Sequence, residues 1–159
     1  MKDLLIFLLV TTAYLVIKST LFSTVPLPDI PVLVAFYVAY TRPSIQGVLL
    51  CFAIGYIEDV FGGGILGSGS LTLVTIFIAV YLISKKVHFT SPALTAVAAA
   101  ALTFIKGVIL FALLSSINEN VYFPFRIFIE AVITGAFAPA VFNIFDRLAA
   151  PGQDHVLER

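Results

Sequence analysis

Charged residues are scarce in this sequence, and their scarcity decides its class. Only 11% of the 159 residues are Asp, Glu, Lys or Arg, while 60% are hydrophobic; soluble domains carry about 25% charged residues. Together with a mean hydropathy of +1.09, this composition excludes an ordinary soluble domain and indicates an integral membrane protein. The formal net charge of zero gives no reason to expect a nucleic-acid partner.

Cysteine and the common catalytic motifs are also missing. The single cysteine, Cys51, excludes a disulfide within one chain and gives no support to a thiolate metal site. The histidines, His88 and His155, have no partner at metal-ligand spacing. No G-x-S-x-G, H-E-x-x-H or P-loop pattern occurs. The sequence therefore predicts a protein that is not an enzyme, binds no nucleotide and holds no cofactor or metal.

Apolar residues are abundant, and they fall into six segments. A bilayer core of about 30 Å needs about 20 helical residues, and clusters of charge, proline and glycine divide the chain into spans at about 4–21, 30–41, 43–61, 68–83, 92–115 and 123–145. The expected fold is all-α, a six-helix transmembrane bundle forming a single membrane domain over residues 1–159. The second span reaches only about 18 Å. Either the proline-rich stretch 23–31 dips into the membrane against the protein, or neighbouring helices surround this span in place of lipid.

The charges between the segments alternate in sign. One set of connections and ends carries basic residues: Lys2, Arg42, Lys85, Lys86 and Arg147. The other connections carry only acidic residues: Asp29, Glu58, Asp59 and Glu119. By the positive-inside rule, both termini are expected in the cytoplasm and the acidic connections on the opposite side of the membrane.

One acidic connection is unusual in having adjacent acids followed by glycines, in the stretch "GYIEDVFGGGILGSGSL". Glycine permits positive φ and close backbone approach, so this stretch predicts a tight corner between the third and fourth helices. Glu58 and Asp59 are adjacent, and side chains of adjacent helical residues point about 100° apart. We therefore expect one of them to face water and the other to face the bundle.

This stretch and the one before the second helix resemble the rod shape-determining protein MreD family. The residues that carry the resemblance at the corner are Gly47, Gly55, Asp59, Gly63 and Gly67, and those at the start and end of the second helix are Pro28, Asp29 and Arg42.

The resemblance implies a non-enzymatic scaffold in the inner membrane of a bacterium. Such a protein would bind the single-span protein MreC and further proteins of the cell-elongation complex, which builds the lateral wall. The family is also similar in fold to the substrate-binding subunits (S components) of energy-coupling-factor transporters. The alternative function is therefore a substrate-binding subunit of a transporter for a vitamin or another small molecule.

Besides Glu58 and Asp59 at the end of the third span, four charged residues fall inside the expected spans: Lys18, Lys106, Arg126 and Glu130. A charge near the middle of a bilayer costs about 2.5 kcal/mol or more unless it is paired or hydrated. Lys106 and Glu130 have similar expected depths on consecutive antiparallel helices, and Arg126 lies four residues before Glu130. We therefore predict a cluster of Lys106, Arg126 and Glu130, with Lys18 or Asp59 as a fourth member. It could either fix the order of the helices or form the floor of a cavity or an ion relay.

Small residues recur every four positions along the fifth segment: Ser91, Thr95, Ala99, Thr103 and Gly107. A surface of small residues lets another helix approach closely within lipid. The approaching helix could belong to this chain or to a partner.

Overall fold

The structure, a computed structural model, describes residues 2–21, 27–41, 43–62, 65–85, 91–116 and 125–149. These residues form the helices α1 (Lys2–Leu21), α2 (Ile30–Thr41), α3 (Ile45–Gly62), α4 (Ser68–Ser84), α5 (Pro92–Ser115) and α6 (Arg126–Ala149). Within the described ranges there is no strand, so the expected all-α class is confirmed. By length and composition, α3, α5 and α6 can cross a membrane, and α1, α2 and α4 contain shorter apolar helices.

The short second helix lies at the centre of the bundle. Every residue from Pro31 to Ala39 is buried, and α2 contacts α1, α3, α4, α5 and α6. Pro31 stands in the first helical turn, where its missing N–H costs no intrahelical hydrogen bond. The helix is short because its surroundings are protein, which favours the second of the two explanations for its length. Residues 23–26 of the stretch in the other explanation lie outside the described residues.

The two ends of the bundle differ in chemistry. We call the end where α1, α3 and α5 finish and α2, α4 and α6 begin the acidic end, because it carries Asp29, Glu58 and Asp59. We call the opposite end, which carries Lys85 and Arg147, the basic end.

Aromatic side chains hold the helices together near the basic end. Phe7 of α1 packs against Tyr37 of α2 and Phe145 of α6, with ring centroids 5.7 and 5.1 Å apart. The Tyr37 hydroxyl donates a hydrogen bond to Asp146 Oδ1 at 2.8 Å. The start of α1 and the ends of α2 and α6 are thereby joined, which leaves the charged residues of the acidic end in the other half of the bundle.

Helices α3 and α4 approach each other through glycine. A Cβ added to Gly55 would stand 2.5 Å from the backbone N and Cα of Ser70, closer than any carbon can pack. The Ser70 hydroxyl donates a hydrogen bond to the Phe52 carbonyl oxygen at 2.9 Å. This crossing brings the end of α3 against the start of α4, and it therefore decides where the acids Glu58 and Asp59 lie.

Candidate functional site

A buried lysine on α5 joins two carboxylates from other helices. Lys106 Nζ lies 2.8 Å from Asp29 Oδ2 and 2.6 Å from Glu58 Oε1. The side chain of Lys106 is only 4% exposed. We call Asp29, Glu58 and Lys106 the buried triad. Because it joins α5 to α3 and to the start of α2, it fixes three helices relative to one another.

Asp29 is positioned by the start of α2. Its Oδ1 accepts a hydrogen bond from the Val32 backbone N–H at 3.4 Å, as expected of an N-cap residue. Its own N–H donates to Thr134 Oγ1 of α6 at 2.8 Å. The Tyr14 hydroxyl of α1 donates to the Pro28 carbonyl oxygen. The Pro28 and Asp29 corner therefore contacts α1, α5 and α6, and the contacts of the Asp29 carboxylate give a physical reason for aspartate before α2.

The predicted cluster of Lys106, Arg126 and Glu130 is split by the structure. Arg126 Nε donates to Glu130 Oε1 at 3.2 Å; the two residues are one turn apart on α6, and both side chains are partly exposed. Lys106 instead forms its ion pairs with Asp29 and Glu58. The depth estimate placed Lys106 and Glu130 at one level, and both do line one cavity. Depth alone could not show that the Lys106 ammonium binds Asp29, just before α2, and Glu58 of α3 in preference to Glu130 of α6.

That cavity lies at the acidic end and has a volume of about 250 Å³. Its charged lining consists of Lys18, Asp29, Glu58, Lys106 and Glu130. Its apolar lining includes Leu110, Phe111, Leu114 and Ile127. The site thus combines opposite charges with an apolar wall, a combination suited to binding an amphiphile. Lys18, predicted as a possible fourth cluster member, lines this cavity.

Asp59 has a different role from its neighbour Glu58. Its Oδ2 accepts a hydrogen bond from the Gly67 N–H at 2.8 Å, and its Oδ1 accepts one from the Gly69 N–H at 2.9 Å. These N–H groups belong to the first turn of α4 and carry the positive end of its dipole, so a carboxylate is favourable there. Both acids are therefore engaged within the bundle, and the expectation that one faces water is wrong. The reason is that α4 starts directly against the end of α3.

Replacing Asp59 with alanine is expected to lower the free energy of unfolding by about 1–2 kcal/mol, because two N–H groups at the start of α4 lose their acceptor. Asp59→Asn keeps one side-chain oxygen at this position and should cost less. The comparison is made by thermal unfolding of both variants in the same detergent. Equal and negligible losses from both substitutions would contradict the capping role.

The other residues of the family resemblance have separate backbone roles. Gly47 approaches Val38 and Phe77, so it allows α3 to pack on α2 and α4. Gly67 has φ of 96°, which favours glycine at the turn before α4. Gly63 and Arg42 lie outside the described residues.

The small-residue stripe of α5 lies mostly inside the chain. Thr95, Ala99 and Thr103 are buried. Gly107 lies directly against Ile127 of α6. Ser91, at the start of the helix, is exposed. Most of the stripe is therefore used in packing within the chain, which was the first of its two interpretations.

Sequence reasoning missed both partners of Lys106, Asp29 and Glu58. It also missed Thr134 and Tyr14 as supports of the Pro28 and Asp29 corner. A signal for Glu58 was present, since it lies about one turn before the end of α3 and is at similar depth to the start of α2. Within the described residues, no three His, Cys, Asp or Glu side chains are grouped so that they could hold a metal ion.

Comparison with known proteins gives one match. The profile of the rod shape-determining protein MreD family matches residues 3–148, nearly the whole chain. No curated protein and no solved structure matched, so the expected similarity in fold to energy-coupling-factor subunits stays a prediction. The resemblance identified from the corner and the start of α2 is confirmed and extends far beyond those stretches. The chain therefore belongs to the MreD family and has a role in rod shape determination.

Proposed function

We propose that this chain is a non-enzymatic membrane scaffold that binds MreC and, through it, further proteins of the bacterial cell-elongation complex. The observation that carries the proposal is the family match over residues 3–148. The scaffold lies in the cytoplasmic membrane, with both termini and the basic end in the cytoplasm.

The arrangement of charges supports a scaffold. Lys106 forms ion pairs with Asp29 and Glu58, and Asp59 caps α4. Buried ion pairs of this kind hold helices in one arrangement, and removing a single partner is strongly destabilising. A rigid bundle with an apolar outer surface presents a constant surface to the single span of MreC.

The cavity at the acidic end is the one observation that favours the alternative, a substrate-binding subunit of a transporter. One feature weighs against it. Its most deeply buried charges, Asp29 and Lys106, bind one another, and so are not available to anchor a water-soluble substrate such as a vitamin.

Co-purification tests the proposed partner. When the tagged chain is co-expressed with MreC and purified in a mild detergent, we expect MreC to be retained, because association inside lipid depends on close helix packing that a mild detergent preserves. The matched control is MreC whose single span is replaced by polyleucine, which keeps its extramembrane domain. Reduced retention of the control would assign part of the interface to the span.

Loss of MreC during purification, with both proteins folded in the membrane, would contradict the scaffold. If the solitary chain then bound a small vitamin tightly, the alternative function would be favoured.

A further inference from the structure

Two neighbouring cavities at the acidic end share a wall. The first is the cavity of about 250 Å³ described above. The second, of about 220 Å³, lies among α1, α3 and the start of α6. Lys18 and Glu58 line both cavities, so a lysine and a glutamate stand where the two cavities meet.

Both of these side chains have unused polar groups. Glu58 Oε1 binds Lys106, but Glu58 Oε2 is closed to solvent and has no hydrogen-bond donor in the described part of the chain. Lys18 is partly buried and, among the described residues, has no carboxylate oxygen within 4.0 Å. Buried polar groups are nearly always hydrogen-bonded. The shared wall therefore lacks one hydrogen-bond donor at Glu58, and its lysine, Lys18, is free to bind an anion.

Three of the charged residues that line the cavities lie near helix ends. Lys18 is in the last turn of α1, Glu58 is about one turn before the end of α3, and Arg126 is the first residue of α6. The membrane interface is at the ends of such helices. Leu110, Phe111 and Leu114 form an apolar wall beside the charges, along which an acyl chain can lie.

We propose that these joined cavities hold the headgroup of an aminophospholipid from the leaflet at the acidic end, a lipid that carries a primary ammonium and a phosphate. A turn of the Glu58 carboxyl group, whose side chain is 21% exposed, lets Oε2 accept a hydrogen bond from the ammonium, and the phosphate accepts one from Lys18. Such charge-assisted hydrogen bonds are the stronger kind. A choline headgroup has no N–H and cannot supply the donor.

The balance of charge in the lining also favours a zwitterion. The cationic side chains around the two cavities are Lys18, Lys106 and Arg126, and the anionic ones are Asp29, Glu58 and Glu130. Three charges of each sign give no net attraction for a purely anionic or purely cationic headgroup. A headgroup with one charge of each sign can satisfy both Lys18 and Glu58, while Lys106 stays paired with Asp29.

Native mass spectrometry with defined lipids tests the proposal. The protein is purified in detergent and mixed with equal amounts of phosphatidylethanolamine, phosphatidylcholine and phosphatidylglycerol that have identical acyl chains. We expect phosphatidylethanolamine to be retained about tenfold more than either of the others, which is the effect of one charge-assisted hydrogen bond. Lys18→Gln should lower the retention of all three lipids, because each carries the phosphate that Lys18 binds, and leave the buried triad intact.

The matched control is Lys85→Gln, since Lys85 is an exposed lysine at the basic end that packs over the Tyr81 ring. This variant should retain all three lipids as the unmodified protein does. Equal retention of the three lipids by the unmodified protein, or retention of the lipids by Lys18→Gln that is unchanged from the unmodified protein, would overturn the proposal. The first of these outcomes needs no variant, so the test holds even if Lys18→Gln does not fold.

A further comparison separates the lipid from a free zwitterion. Soluble phosphoethanolamine, added at the same concentration as the lipid, should raise the Tm of the detergent-solubilised protein less than phosphatidylethanolamine does, because it cannot use the apolar wall. An equal rise from both would overturn the lipid as the occupant. None of these measurements involves MreC, so their failure is distinct from failure of the scaffold proposal.

Discussion

Replacing Lys106 with methionine is expected to lower the free energy of unfolding by about 3–5 kcal/mol, which is the cost of leaving buried charges without their partner. Lys106 Nζ binds Asp29 Oδ2 and Glu58 Oε1 at 2.8 and 2.6 Å. Methionine fills much of the same space but donates no hydrogen bond, so two carboxylates remain close together in a region of low dielectric. The measurement is unfolding of the purified protein in detergent, followed by Tm and by denaturant midpoint.

Glu130→Gln is the matched control for this experiment. Glu130 lines the same cavity as Lys106, but its ion pair with Arg126 is formed within one helix and is partly exposed. Pairs of this kind contribute about 0.3–0.5 kcal/mol. The stability of Glu130→Gln should therefore stay close to that of the unmodified protein.

A triple variant separates loss of charge pairing from loss of packing. Asp29→Asn and Glu58→Gln, combined with Lys106→Met, remove all three charges and keep the volumes similar. Asparagine also caps a helix about as well as aspartate, so the start of α2 is preserved. Because an entire buried ion pair can often be replaced at little cost, the triple variant should be more stable than Lys106→Met alone. A triple variant as unstable as the single one would show that the ammonium contributes by packing and not by charge.

The sequence predicts the six helices and the sign of the charge at each end because both depend on local composition. A run of apolar residues long enough to cross a bilayer is visible in any window of the chain, and so is a basic or acidic connection between runs. The central position of α2 was left open, because burial depends on neighbours. Its length of 12 residues indicated that it differs from the others, and the structure shows that five helices surround it.

The partner of Lys106 could not be predicted from depth alone. Rise per residue gives the level of a side chain along its helix, but it does not say which neighbouring helix the side chain faces. Lys106 and Glu130 have similar depths, and α5 packs closely on α6, yet Lys106 extends to α2 and α3. The missing information was the order of helices around α2, which is set by non-local packing.

The sequence correctly predicted a tight corner between α3 and α4, but it did not predict the contacts that hold this corner together. Glycine content predicted a tight turn, and adjacency predicted that Glu58 and Asp59 face different neighbours, as they do. What the sequence could not show is that α4 begins so close to α3 that its first N–H groups reach Asp59. That proximity depends on Gly55.

Gly55→Ala is expected to lower the free energy of unfolding by about 2–3 kcal/mol, the cost of overpacking a close helix contact. The added Cβ would stand 2.5 Å from the Ser70 N and Cα, and backbone atoms cannot move aside as the end of a flexible side chain can. Helix α4 must therefore move away from α3. Gly62→Ala is the matched control, since a Cβ there meets nothing within 4 Å, and its stability should be unchanged or slightly raised, because alanine favours helix over glycine.

The same displacement should weaken the cap on α4, because Asp59 and Gly55 lie one turn apart on α3. The distances from the Asp59 carboxylate to the N–H groups of Gly67 and Gly69 are 2.8 and 2.9 Å, and hydrogen bonds weaken when the helices separate. The losses from Gly55→Ala and Asp59→Ala should therefore not add: the double variant should lose less than the sum, with a coupling of about 0.5 kcal/mol or more. Strictly additive losses would mean that Asp59 keeps its hydrogen bonds when the crossing opens, and that the corner is held by two independent contacts.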